Sequence, residues 1–525
     1  MSYQKFILKR DLLTSIIWIV ALAAFALLLA AVYPGLFPTE MAMQGIIATT
    51  NTPAMIALMG PVYGLDAVTP AILMAQECLI WFAIAAIVMN IFFVNRYTRT
   101  DEELGRLELL ISLPVNRLTN SISVIFLSFM LNIVVAVMIA LFTLIVPNLD
   151  GVTISGAFMY GLSIGMQGFV FAMITLLSAQ LFSTARGSMG AAFAMMGIAY
   201  ILRAYGDMNG SILSDISPMG LGLKVEAFYA DNFLPIAILF AEALGFAAIA
   251  LWFNFHRDIG LGVFPARKGK GHASRFLQTP FGFAWRLSRN NFFAWAIGVF
   301  AIGATYGAVI GELDQFVEGN DMMKQMLEGS SGGATLIDAF VGLINGLVAL
   351  IIAVPLIGAI NRLRSEEKRG RLEPILATSV SRRKLFLNFI LIAVMEAFAL
   401  AFLSAFGLYA AASSSGLIDF ETLIKASFVY LPALFVMIAL AVFLFGVFPK
   451  LKSLIWALFG YSFILFYFGR LFDVPEIAIK LSPFGNISQL PIQPFSLMPV
   501  IVLCIISVGL CVMGVLFFEK RGVKN

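Results

Sequence analysis

Apolar residues run along the chain in twelve long stretches separated by short polar segments: 12–32, 71–94, 121–146, 158–182, 188–204, 233–253, 292–310, 336–360, 385–411, 426–448, 453–469 and 499–518. A hydrocarbon core about 30 Å thick is crossed by about 20 helical residues, each rising about 1.5 Å. Each stretch therefore predicts a membrane-spanning helix. The two-residue alternation of an outer-membrane barrel strand is absent. The stretch at 12–32 is followed by no small-residue cleavage site and reads as a retained span. Those at 188–204 and 453–469 are the shortest of their halves, predicting short fifth and eleventh spans.

Composition agrees with this pattern. Hydrophobic residues make up 60% of the chain and charged residues 12%, which excludes an ordinary soluble domain. With the N-terminus inside, the inner segments hold 28 of the 34 Lys and Arg: the start at Lys5, Lys9 and Arg10, the loops 95–118, 255–291 and 361–384, two short turns and the tail. The first outer segment, 33–70, holds none. This positive-inside pattern puts both termini in the cytoplasm. The net charge of +4 then reports topology, and no basic patch stands clear of a membrane flank to suit a nucleic acid. Cys78, Cys504 and Cys511 fall in spans without paired spacing, and His256 and His272 lie in a polar loop. Neither a disulfide framework nor a metal site is indicated.

One polar segment occurs twice. Asp101-Glu102-Glu103-Leu104-Gly105-Arg106-Leu107-Glu108 returns 265 positions later as Glu366-Glu367-Lys368-Arg369-Gly370-Arg371-Leu372-Glu373, and the copies end at Val115-Asn116-Arg117 and Val380-Ser381-Arg382. Ser217-Pro218-Met219-Gly220 matches Ser482-Pro483-Phe484-Gly485 at the same spacing, while Arg186 and Asp207 match Lys452 and Asp473 one position further on. The expected fold is all-α and polytopic, with twelve transmembrane helices in two parallel six-helix repeats. The first half covers 1–255, a cytoplasmic linker 256–289 and the second half 290–525. The linker carries Arg267-Lys268-Gly269-Lys270-Gly271, suited to resting on anionic headgroups. The second half's first outer segment, 312–333, is acidic and rich in Gly and Ser. The Ser-Pro-x-Gly segments have apolar flanks and predict a re-entrant or interfacial elbow after the fifth and eleventh spans.

Each copy of the charged segment predicts a short amphipathic helix. Glu102 precedes Arg106 by four residues and Glu367 precedes Arg371 by four, the favoured order for an intrahelical ion pair. Leu104, Leu107 and Ile111 recur at helical spacing, as do Leu372 and Ile375. Such a helix lies on a membrane surface or fits a groove on a partner. Retention of Gly-Arg-Leu-Glu in both copies favours the partner.

The run Glu-Glu-x-x-Gly-Arg-Leu-Glu, with Leu-Leu-x-x-x-Pro/Ser-Val-x-Arg behind it, resembles the loop after the second span of type-2 ATP-binding-cassette (ABC) exporter permeases. It is most similar to the long fused permeases for tetronasin and other polyketide antibiotics. The resemblance implies an ABC exporter type-2 transmembrane domain that exports hydrophobic antibiotics or other amphipathic compounds. It places Glu102, Gly105, Arg106, Leu107 and Glu108, and Glu367, Gly370, Arg371, Leu372 and Glu373, in coupling helices that dock on an ATPase. Residues 1–11 and 275–291 become elbow helices on the inner face. The implied partners are two copies of a separate ABC ATPase, which carries the ATP and Mg2+. This chain has no Gly-x-x-x-x-Gly-Lys-Ser/Thr loop, so it is expected to bind no cofactor or metal and to hold no catalytic residue. The setting implied is a bacterial or archaeal cytoplasmic membrane. One departure stands out: Pro374 replaces Leu109, which implies a second coupling helix that ends or bends earlier and two unequal ATPase contacts.

A charged group at a helix centre costs about 2.5–3.5 kcal/mol on insertion scales, so those inside spans are candidates for function. Glu396 falls near the middle of the ninth stretch and Asn132 at similar depth in the third, and both are candidates for the substrate pathway. Glu77, Glu242 and Asp338 lie nearer the ends of their stretches and suit packing or interfacial roles. The alternative is a proton- or sodium-driven carrier of the major-facilitator kind. It shares the six-plus-six plan, but its Gly-x-x-x-Asp and Arg-x-Gly-Arg loop signature is missing here. A scaffold or lipid-processing enzyme would need a His/Asp or Ser/His arrangement, and the chain offers none.

Overall fold

The computed structural model describes residues 3–111, 116–147, 149–264, 271–310, 336–368, 370–378, 380–413, 418–451, 453–468 and 475–520. Among these residues every regular element is helical, apart from one isolated bridge between Phe182 and Phe264. The membrane-type helices are α1 (Tyr3–Leu36), α2 (Pro70–Asn95), α3 (Thr119–Leu144), α4 (Ile154–Leu181), α5 (Ala185–Asn209), α6 (Leu234–His256), α7 (Pro280–Ile310), α8 (Leu336–Lys368), α9 (Arg382–Ala412), α10 (Phe420–Val447), α11 (Leu454–Phe468) and α12 (Leu497–Lys520). Eleven are long and apolar enough to cross a membrane. The exception is α11, whose 15 residues rise only about 22 Å. The protein is an all-α polytopic membrane protein. Val115, the run 267–270, the segment 312–333, Arg369, Lys452 and Asp473 lie outside the described residues.

The chain divides into two compact units, Met1–Gly269 and Lys270–Asn525. In the first unit α4 is the most enclosed helix. Its glycines let neighbouring backbones approach: a Cβ on Gly161 would lie 2.2 Å from the Ala136 carbonyl oxygen, and one on Gly165 would lie 2.7 Å from that of Asn132. The second unit uses the same device between other helices. Gly303 on α7 faces the Ser404 carbonyl, Gly407 on α9 faces that of Phe300, and Gly446 on α10 faces that of Gly514 on α12. Inside a bilayer, where lipid is as apolar as leucine, close backbone packing of this kind holds helices together. Helix starts follow local rules. The hydroxyls of Thr69, Thr153 and Thr184 accept from the N–H groups of Ile72, Gly156 and Gly187, and Pro70, Pro235 and Pro432 stand in first turns.

Three expectations need correction. The fifth span is not short, because α5 has 25 residues. Its last turns carry Arg203 and Asp207, which are buried and paired at 3.6 Å, so hydropathy alone ends the span too early. Arg203 also donates to the carbonyls of Ile56 and Leu58, 3.2 Å each. Secondly, residues 3–11 and 280–291 form no separate elbow helices but are the opening turns of α1 and α7. Thirdly, the segment read as a linker is partly structure: 257–264 packs against the end of α4, with Val263 N–H on the Gln180 carbonyl and Phe264 N–H on that of Leu181.

The Ser-Pro-x-Gly segments fold alike. Leu213–Ile216 and Pro218–Leu223 meet at Ser217, while Glu476–Leu481 and Pro483–Asn486 meet at Ser482. Ser217, Met219, Ser482 and Phe484 are buried. In each copy the glycine abuts a carbonyl six residues back: a Cβ on Gly220 would lie 2.1 Å from the Ser214 oxygen, and one on Gly485 would lie 2.1 Å from that of Ile479. Overpacking of this kind costs about 1–3 kcal/mol. Gly220→Ala and Gly485→Ala should therefore each lower the unfolding temperature in detergent by several degrees. Gly190→Ala, with nothing near its Cβ, should not; equal melting of all three variants would refute this reading of the elbows.

Candidate functional site

The duplicated segment forms the same turn twice, at the end of α2 and of α8. In the first unit the helix runs on past Asn95 through a π-helical turn, Arg96–Thr100, and a last turn, Asp101–Glu103. In the second, α8 is α-helical to Lys368, the same register 265 positions on. The π turn has a sequence cause. Asn95-Arg96 stands one residue further from Arg99 than Asn361-Arg362 does from Arg364, and the wider turn absorbs the extra residue. The side chain of Asn120 takes the carbonyl of Tyr97 at 3.0 Å.

Gly105 and Gly370 then reverse the chain. Both are left-handed, with φ +69° and +67°, and their N–H groups close on the carbonyls of Glu102 and Glu367, 3.0 Å each. Space does not demand glycine here, since a Cβ at either position would meet nothing within 4 Å. The backbone angle does. Beyond the glycine the two copies match residue by residue. Leu107 and Leu372 are buried, while Arg106, Arg371, Glu108 and Glu373 are exposed. The following helices are Arg106–Ile111 and Glu373–Leu376. The second starts two register positions later because Pro374, lacking an N–H, occupies its first turn. Pro374 thus delays the start of the second helix; the residues behind Ile111, against which an earlier end would be judged, lie outside the described residues.

The expected helical pairs Glu102–Arg106 and Glu367–Arg371 do not form, because the glycine breaks the helix between them. Arg106 reaches Asp101 at 3.0 Å and Arg371 reaches Glu366 at 3.4 Å. The two glutamates point inward instead, 4% and 3% exposed, and each meets an arginine three residues earlier on its own helix. Arg99 lies 3.0 Å from Glu102, and Arg364 pairs with Glu367. Arg99 and Arg364 are the residues that sequence reading missed, although they too stand 265 apart. Glu102 has further partners: Arg257 holds it with two nitrogens at 2.6 and 2.7 Å, and the Gly260 N–H donates at 2.7 Å. Asp101 also binds Arg10 of α1 at 2.8 Å. Neighbouring Glu103 accepts from the Ala185 N–H that opens α5 at 2.8 Å. Leu104 is exposed, so the apolar face expected of Leu104 and Leu107 is split.

The two candidates inside the helices differ. Asn132 on α3 and Asn90 on α2 are fully buried and exchange both amide bonds at 2.9 Å. Gly168 of α4 lies over the pair, where a Cβ would come 2.4 Å from the Asn132 side-chain oxygen. This is a closed packing contact. Glu396, midway along α9, is buried among apolar residues such as Ala393 and Ala397, and neither carboxyl oxygen has a hydrogen-bond partner.

Residues 277–519 match the family model for the C-terminal domain of the multidrug efflux system permease Rv1217c. Over 528 residues the chain is 29% identical to the multidrug efflux system permease protein Rv1217c of Mycobacterium tuberculosis (strain ATCC 25618 / H37Rv), spanning 98% of this chain and 94% of that one. The chain is thus an all-α polytopic membrane protein similar along its length to that efflux permease. The family match takes in the second glycine turn, α9 with Glu396 and the second elbow. The full-length similarity spans both turns.

Forcing a side chain into a left-handed position costs about 1–2 kcal/mol. Gly105→Ala and Gly370→Ala should therefore loosen their turns without a steric clash, seen as at least five-fold faster amide hydrogen exchange at positions 105 and 370. Gly105→Asn, which tolerates this conformation better, should sit nearer wild type. Exchange unchanged in both alanine variants would remove backbone angle as the reason for glycine.

Proposed function

We propose that this permease is the membrane subunit of an ATP-driven exporter of hydrophobic or amphipathic compounds, and that its two Gly-Arg-Leu-Glu turns are docking points for two separate ABC ATPase subunits. The observation that carries this reading is the turn built twice with the same left-handed glycine, the same buried leucine and the same exposed Arg and Glu. A loop that only supplied positive charge to the inner face would need no common backbone angle. The name of the Mycobacterium tuberculosis relative, a multidrug efflux permease, supports export and a broad substrate class.

ATP and Mg2+ belong to the partner in this account. The permease contributes two rigid handles on the cytoplasmic side, with both termini on that side as the Lys and Arg distribution favours. Closure of the ATPase pair pulls on the handles, and the helices ending at them change packing as bodies. Glu396 is the candidate for the substrate pathway, since a carboxyl buried in mid-helix without a hydrogen bond is costly and such groups mark pathways by default. Asn132 serves better as a helix-packing residue.

The exposed glutamates give the cleanest test. Glu108→Lys and Glu373→Lys reverse charges that point into solvent, so the double variant should reach the membrane at wild-type level. Co-expressed with an ABC ATPase that copurifies with the wild-type chain, it should retain at most a tenth of the ATPase that the wild-type chain retains on purification. Equal retention would argue against docking at these turns.

A further inference from the structure

We infer that Arg257, just beyond α6, is a positioning residue that makes the first glycine turn one mechanical body with the inner ends of α4 and α6; this rests on the docking role proposed above. Arg257 is almost buried, 8% exposed, and its guanidinium spans three elements. Two nitrogens hold Glu102 at the end of the α2 helix, and Nε donates to the Gln180 side-chain oxygen on α4 at 2.7 Å. It also closes on its own segment, donating to the Leu261 carbonyl at 2.6 Å and that of Asp258 at 3.2 Å. The same Gln180 oxygen accepts from Asn254 in the last turn of α6 at 3.0 Å. Only a planar fork with five donors satisfies these partners together.

The segment behind Arg257 extends the tie. Val263 N–H and Phe264 N–H bond to the carbonyls of Gln180 and Leu181 at 3.1 and 2.8 Å. Ser183 accepts from Gly262 N–H at 3.2 Å and donates to the Phe264 carbonyl at 3.0 Å. Gly262 is needed for the approach, as a Cβ there would lie 2.5 Å from the Phe182 backbone. A displacement of the Gly105 turn is thus passed to α4 and α6 through short bonds, where a flexible loop would absorb it. Without Arg257, Glu102 still keeps Arg99 and the Gly260 N–H. The turn therefore stays folded and keeps its bonds to Gly260 and Leu261 through Glu102 and Arg99, while its side-chain tie to Gln180 of α4, which also holds Asn254 of α6, is lost.

The test compares wild type, Arg257→Gln and Arg257→Lys, each purified with the co-expressed ABC ATPase in liposomes. The measurements are ATPase retained, transport per ATP hydrolysed with ethidium as probe, and amide exchange at Val263 and Phe264. Arg257→Gln should retain ATPase within two-fold of wild type and lose at least five-fold in transport per ATP, with exchange at both amides at least ten-fold faster. Arg257→Lys, keeping charge without the fork, should fall between. An unchanged transport-to-ATP ratio in a variant present at normal level overturns the inference, and so does loss of ATPase from Arg257→Gln, which would make Arg257 a docking contact. If Arg257→Gln fails to reach the membrane, Arg257→Lys decides by the same ratio. A wild-type chain that holds no ATPase would instead strike at the proposed function; the exchange arm then judges the tie alone, and unchanged exchange overturns it.

Discussion

A carboxylate buried where a long apolar helix ends sets most of the geometry at that end of the first unit. Taking an ion out of water costs several kcal/mol unless charged and hydrogen-bonding partners surround it. Glu102 is surrounded by Arg99, Arg257 and the Gly260 N–H. Satisfying it fixes where the helix stops, because Gly105 must turn left-handed right behind it. It also fixes where the segment after α6 lies, since that segment brings two of the three partners. Leaving such a group with no partner typically costs about 3–5 kcal/mol, and the loss of any one of the three still leaves Glu102 two.

The second unit solves the same problem with a similar pairing. Glu367 meets Arg364 from its own helix, Glu366 meets Arg371, and Gly370 repeats the left-handed turn. What the two copies share is the outward set: one exposed Arg, paired with an acid five residues earlier, and one exposed Glu on either side of a buried Leu. What differs is the inward wiring, and Pro374 delays the second short helix. A duplicated handle with individual attachments fits a machine whose two halves receive the same partner but answer with different helices.

Much of the fold was legible because helix length against bilayer thickness is a strong constraint. All twelve apolar stretches became helices, and the two Ser-Pro-x-Gly elbows became paired short helices. Hydropathy failed where charges are buried and paired, as at Arg203 and Asp207, which extend α5 beyond its apolar stretch. At the turns, spacing predicted ion pairs at four residues, and the glycine between them made that geometry impossible. A glycine three residues after a glutamate in both copies was the available clue. The partners of Glu102 lie 155 and 158 residues away in the chain. No local pattern could announce them, just as none could show that Asn132 is closed by Asn90 while Glu396 is left without a hydrogen bond.

The central claim is that one chain carries two docking points for a separate ATPase. Native mass spectrometry of the complex extracted from membranes measures this directly. The account predicts a single species of one permease with two ATPase chains. A complex holding two permeases, or a permease that exports with no ATPase bound, would contradict it.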